Sequence, residues 1–175
     1  MKERTIELRD DREVLLRLLK STDREQLFSM VTDLSEDALR WSSPPYDESK
    51  IDRWMTGVED GLSIVAIYEG RLVGISAIYQ FQRPRQKGTG GMMIYIHQDF
   101  HGVGLGTTMT EMLLEVGRSK GLHRIGLEVV EENDAAVNLY RKFGFEVEGV
   151  LRDAYFGGDG KYYNILVMGI LFSEE

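Results

Sequence analysis

The stretch HGVGLGTTMTEMLLEVGRSKG, His101 to Gly121, sets three alternating glycines, Gly102, Gly104 and Gly106, between a strand-like run and a long amphipathic helix. Glycine inside a helix costs about 1 kcal/mol relative to alanine, so a helix entrance built this way needs a compensating reason. From about Gly104 to Lys120, Leu105, Met109, Met112, Leu113 and Val116 share one face, with Thr108, Glu111 and Glu115 on the other. Arg118 and Lys120 complement the negative end of the helix, and Gly121 suits its cap. At the entrance the backbone N–H groups lack helical partners and the helix dipole is positive, which favours an anion such as a phosphate. The competing reading is a tight turn with a close contact between helix and sheet.

Two other phosphate loops fail on spacing. The Walker pattern needs a lysine before its Ser or Thr, whereas Thr107 and Thr108 follow the glycines directly. The dinucleotide fingerprint needs a third glycine where Thr107 or Met109 stands.

The rest of the chain reads as alternating elements. TIELRDDREVLLRLL is a hairpin turning at Asp10 and Asp11. Ser21 or Thr22 is placed to cap a helix to about Thr32, and a second helix carries Ile51, Trp54, Met55 and Val58. Two strands then turn at Glu69 and Gly70, followed by a basic, glycine-rich connector and the strand MMIYIHQ. After the glycine-opened helix come the strand IGLEVV, the helix NDAAVNLYRKFG, and two strands joined at GGDG. This order predicts a mixed α/β layer. With 175 residues, 42% of them hydrophobic, it is expected to form a single domain over 1–175.

Composition narrows the chemistry. Zero cysteines exclude thiolate metal sites and a cysteine nucleophile, and His97, His101 and His123 are too scattered to suggest a metal cluster. A formal charge of −8 argues against nucleic acid and suits a cationic substrate. Neither a membrane span nor a secretory leader is read, so no membrane partner and a cytoplasmic location are expected.

Two blocks carry a resemblance to the GNAT superfamily of N-acetyltransferases. His101 to Gly106 follows its acyl-CoA loop, Arg or Gln, x, x, Gly, x, Gly or Ala, except that histidine holds the first position. VVEENDAAVNLYRKFGFEVEG is similar to the family's second block at Asn133, Ala136, Leu139, Tyr140, Lys142, Gly144 and Phe145. The resemblance covers roughly Leu62 to Leu171, and VLLRLLKSTDREQLFSMVTDLSEDALRW looks like the N-terminal segment of a large branch of the family. It implies a mostly antiparallel, twisted sheet of about seven strands with helices on both faces, splayed at an acyl-CoA site. It further implies acetyl-CoA as donor, with no metal, and a primary amine, small or on a protein, as acceptor. The strand containing Ile94 and Ile96 would pair with pantetheine amides. The loop of His101, Gly102, Val103, Gly104, Gly106 and Thr107 would hold the pyrophosphate, and Asn133, Ala136, Tyr140 and Lys142 would complete the cofactor site. A homodimer follows from family habit.

Acetyl transfer needs a neutral amine and a proton for the departing thiolate. Tyr140 matches the family's general acid; as a bare residue it is equally a core aromatic, sharing a helical face with Ala136, Leu139 and Phe143. Asn133 stands where a helix cap belongs, whatever else it does. Where many relatives carry a glutamate before the loop this chain has Gly91, so Glu128 is the candidate base through water, against the alternative of a solvated strand residue. Asp153 and Glu148 are weaker choices. Acceptor contacts are expected from Trp41 to Tyr46, the second helix, and Tyr155, Phe156, Tyr162 and Tyr163. The rival to an enzyme is a non-catalytic acyl-CoA-binding, sensing module, favoured by Gly91 and His101.

Overall fold

The computed structural model describes residues 3–172. Its strands are β1 (Arg4–Glu7), β2 (Glu13–Leu18), β3 (Ser63–Tyr68), β4 (Arg71–Gln80), β5 (Thr89–Ile96), β6 (Arg124–Val130), β7 (Glu146–Phe156) and β8 (Tyr162–Leu171). They form one eight-stranded sheet in the order β1-β2-β3-β4-β5-β6-β8-β7, one strand more than the resemblance implies. Every neighbouring pair is antiparallel except β5 with β6. The hairpins turn where the sequence reading puts them: Glu69 and Gly70 both have positive φ, 48° and 78°, which matches the right-handed twist of the flanking strands.

The helices are α1 (Arg24–Thr32), α2 (Glu36–Leu39), α3 (Glu48–Met55), α4 (Gly57–Asp60), α5 (Leu105–Ser119) and α6 (Asp134–Lys142). One sheet face is covered by α5 and α6. There Leu105, Met109, Met112 and Leu113 are buried with Ile64, Ile78 and Ile125, each such side chain contributing about 1.5–3 kcal/mol. The other face carries α1 and α3, with Leu27, Met30, Val31 and Ile51 against Val65 and Ile75. Gly121, at φ 73°, closes α5: its N–H donates to Arg118 O, and that of Leu122 to Gly117 O.

Two expectations near the N-terminus need correction. Ser21 and Thr22 do not cap α1; they belong to a single 3-10 turn, Ser21–Asp23, that leads into it. The ordering group is instead the Asp23 carboxylate, a stronger acceptor than a hydroxyl, which takes the Lys20 N–H at 2.8 Å and both arms of Arg17 at 2.7 and 2.8 Å. The second helix, expected to run on through position 58, is divided into α3 and α4, and α2 is additional, since four residues carry no readable period. Ser35 caps α2 by accepting the Ala38 N–H.

Asp23 is 3% exposed. Burial pushes its pKa up, but the Arg17 ion pair and the Lys20 amide outweigh that and hold it below the usual carboxylate value. Its stabilisation is therefore complete above the unfolded pKa of about 3.9 and is lost as pH falls through the lower folded value. Asp23→Ala leaves Arg17 without its counter-charge and should cost about 3–5 kcal/mol in urea unfolding at pH 7. The gap between variant and wild type should narrow below pH 3.9, within about the acid range where the carboxylate protonates.

Candidate active site

The site begins with a break in the sheet. β5 and β6 pair only at Thr89 with Arg124, Gly90 with Ile125, and Gly91 with Gly126. Beyond Gly91, β5 keeps its pairing to β4 as far as Ile96, and β6 keeps its pairing to β8 as far as Val130. The two strands therefore part, and the β5 edge from Met92 to Ile96 is left with backbone groups that an amide-bearing ligand can pair with.

A cavity of about 700 Å³ occupies this opening. Of the residues the sequence assigns to the cofactor, Ile94, Ile96, His101, Gly102, Gly104, Gly106, Thr107, Asn133, Ala136 and Lys142 line it. Val103 and Tyr140 are not among its lining residues; the Val103 side chain packs on the core. The turn and the close helix-to-sheet contact are both seen, at different positions. Gly102 and Gly104 adopt φ of 74° and 96°, which disfavours side chains. At Gly106 a Cβ would stand 3.3 Å from Ile96 Cδ1, so there the glycine permits close packing of helix on sheet. The first amide from Gly102 onward that donates to a backbone carbonyl is that of Thr108, to Gly104 O at 3.2 Å. A cradle without side chains, with free amides at the N-terminus of a 15-residue helix beside an open strand edge, fits a diphosphate joined to an amide-containing arm.

Two polar residues here also have structural tasks. Asn133 Oδ1 accepts the Ala136 N–H at 3.3 Å and so caps α6. His101 Nε2 lies 2.9 Å from Ile96 O and donates to it, tying the loop to the end of β5.

The two catalytic candidates lie on opposite sides of the gap. Tyr140, on α6, is 7% exposed and packs against Phe145 with ring centroids 5.6 Å apart. Burial pushes its pKa up to about 12, so the phenol stays protonated at neutral pH. Glu128 is exposed, two residues beyond the last β5–β6 pair, while Leu127 and Val129 beside it are buried in the α5–α6 core. By alternation its side chain faces the α1–α3 side. Neither residue lines the cavity. At Gly91, where the family's glutamate would stand, a Cβ would lie 2.3 Å from Tyr79 Cζ, because the tyrosine ring crosses over the glycine. Burial and then the Glu128 charge push the Tyr79 phenol up.

A second cleft, about 1140 Å³, adjoins on the α1–α3 side. Trp41, Ser42, Ser43, Pro44, Tyr155, Phe156 and Tyr163, all expected at the acceptor side, line it, whereas Pro45, Tyr46, Tyr162 and the second helix, α3, do not. Trp41 meets Tyr163 edge-on with centroids 5.0 Å apart, and the Tyr155 hydroxyl donates to Arg40 O at 2.8 Å or Ser42 O at 2.9 Å. These contacts clamp the segment after α2 onto the β7–β8 hairpin. Asp37, Trp41 and Ser42 line both cavities, so the two spaces meet there. Sequence reasoning missed α2, with Glu36 and Asp37, and missed Arg9 and Asn138 in the first cavity. The Ser35 cap followed by two acids was the available sign of α2; nothing local marks Arg9. Among the described residues no His, Asp and Glu cluster could hold a metal, and no helix is long and apolar enough to cross a membrane.

This geometry agrees with the comparisons to known proteins. A model of the acetyltransferase (GNAT) family matches residues 27–145, and the chain belongs to that family. It is 30% identical over 114 residues to the L-methionine sulfoximine/L-methionine sulfone acetyltransferase of Pseudomonas aeruginosa, covering 62% of this chain and 66% of that one. It is 36% identical over 78 residues to the spermidine N(1)-acetyltransferase of Escherichia coli, covering 44% and 41%. The matches thus span slightly under two thirds, or less, of these relatives. The yncA protein of Salmonella typhimurium, solved with its cofactor acetyl-CoA, shares the fold at a TM-score of 0.78 and 17% identity, over 93% of this chain and 95% of that one.

Proposed function

We propose that residues 1–175 act as one catalytic unit that moves an acetyl group from acetyl-CoA directly to the primary amine of a small, amino-acid-type acceptor. The observation that carries this reading is the meeting of the two cavities at Asp37, Trp41 and Ser42, beside the β5–β6 gap. A sensing module has no use for the second cleft. Direct transfer requires that donor and acceptor be held together, and adjoining cavities allow it.

Acetyl-CoA, when bound, supplies a thioester whose carbonyl carbon accepts the amine and whose thiolate departs. The open edge of β5 and the amides at Gly102 to Thr107 support binding and orientation of the donor. Tyr140 supplies the proton side of the reaction. Full transfer from a phenol of pKa about 12 to a thiolate of ordinary pKa, about 8.5, is uphill, so Tyr140 acts by donating a hydrogen bond to the developing charge. Glu128 acts as base through water, supported by its exposure two residues beyond the last β5–β6 pair. In the acceptor cleft, Glu36, Asp37 and Asp159 suit an ammonium group. Arg40, whose guanidinium lies 4.7 Å from the Trp41 ring centroid, suits a carboxylate. That combination, with the methionine sulfoximine relative, favours a zwitterionic acceptor over a polyamine.

The remaining expectations join this reading as proposals: a cytoplasmic enzyme with no nucleic-acid or membrane partner, consistent with a formal charge of −8. A homodimer formed through the sheet-edge strand β7 is supported by its exposed Val147, Val150, Leu151 and Phe156. Sedimentation equilibrium that returned the mass of one chain at micromolar concentration would remove the dimer.

Acceptor class is tested by thiol release from acetyl-CoA with methionine sulfoximine, spermidine and an alanine-initiated peptide as competitors. The amino-acid analogue should give the highest kcat/KM, and preference for spermidine would replace the zwitterion with a polyamine. For the catalytic pair, Tyr140→Phe should keep acetyl-CoA affinity and lose at least about tenfold in kcat, roughly 1.4 kcal/mol of barrier. Glu128→Gln should lose on the order of 10²-fold in kcat/KM at pH 7 and recover as pH passes the acceptor's own pKa. Because Tyr140 titrates near 12, wild-type activity should rise with amine deprotonation and show no alkaline fall from this residue up to about pH 10. Unchanged turnover in either variant removes that residue from the mechanism.

A further inference from the structure

The family pattern puts a long cationic or amide side chain at the head of the phosphate loop, and this chain puts His101 there, with its ring occupied by the Ile96 carbonyl. A different side chain reaches the same place. Arg9, in the turn between β1 and β2, lines the first cavity together with Gly102, Gly104 and Thr107. Its Nε lies 3.7 Å and its Cγ 3.8 Å from the point where a Cβ on Gly104 would stand, so the arm of the arginine lies over the missing side chain.

The turn that carries Arg9 is fastened to the loop. The Arg9 N–H donates to Val103 O at 3.1 Å, and Arg12 Nη2 donates to Asp99 O at 2.8 Å. The Arg12 guanidinium also stacks 4.0 Å from the Phe100 ring centroid. Asp10, the nearest acid in the chain, is taken by Arg12 at 2.6 Å. Among the described residues Arg9 itself has no carboxylate within ion-pair distance. An unneutralised guanidinium anchored beside a row of free amides is a preorganised partner for phosphate oxygens, which its planar fork matches two at a time.

We propose that Arg9 binds the diphosphate of acetyl-CoA, and that the β1–β2 turn thereby supplies the cation that position 101 lacks. This rests on acetyl-CoA being the donor. It makes the N-terminal hairpin, which lies outside the matched family region of 27–145, a working part of the cofactor site.

The test is calorimetric titration of Arg9→Gln and Arg9→Ala in the full chain, with three ligands. Acetyl-CoA and its 3′-dephospho form should both bind about tenfold more weakly than to wild type, whereas S-acetylpantetheine, which lacks the diphosphate, should bind both proteins equally. Arg9→Lys should recover part of the loss. An unchanged acetyl-CoA affinity overturns the proposal. A loss seen with acetyl-CoA but not with the dephospho form overturns it in favour of the 3′-phosphate. An equal loss for S-acetylpantetheine overturns it in favour of a role in loop shape. Wild-type protein that binds none of the three overturns the donor reading and this proposal together. Because the Arg9 side chain is exposed and its backbone bond survives substitution, both variants should melt within about 2 °C of wild type, the range of a neutral surface change.

Discussion

Everything that can act as a site in this molecule depends on the parallel pairing of β5 with β6 stopping after three residues. An antiparallel sheet of this size satisfies its backbone groups through lateral hydrogen bonds, and a strand in its middle normally has none to spare. Here β5 is central, yet from Met92 to Ile96 it is bonded on one side only. The opening lets one cavity run between α5 and α6 and touch another on the far face. A sheet zipped to its end would separate donor from acceptor by a layer of backbone.

Around that opening, neighbouring elements are locked by contacts that fix positions more than they add stability. Tyr155, Trp41 and Tyr163 hold the segment after α2 against the β7–β8 hairpin. Arg12, Phe100 and the Arg9 amide hold the β1–β2 turn against the glycine-rich loop. The His101 ring holds the loop against the end of β5. The first two join residues far apart in sequence, whereas His101 and Ile96 are neighbours along the chain. Ordering these walls before a ligand arrives lowers the entropy cost of binding it.

The chain's departures from the family pattern have physical explanations in its neighbours. At Gly91 the Tyr79 ring occupies the space a longer side chain would need. At position 101 the imidazole braces the loop against Ile96, and the Arg9 side chain from another hairpin lies over Gly104.

Local chemistry determined much of this protein directly. The glycines at 102 and 104 need left-handed backbone, the apolar stripe from Leu105 to Val116 fixes the buried face of α5, and Asn133 caps α6, each readable because cause and effect lie within a few residues. The two motif blocks named the family for the same reason, since a phosphate loop is one continuous turn and helix. Tertiary structure alone decided that Tyr140 and Glu128 stand on opposite sides of the gap, and that Arg9 lies over Gly104. Those outcomes depend on strand register and on helices docking from either face. Such contacts join residues up to about a hundred positions apart, where no local period or spacing leaves a trace.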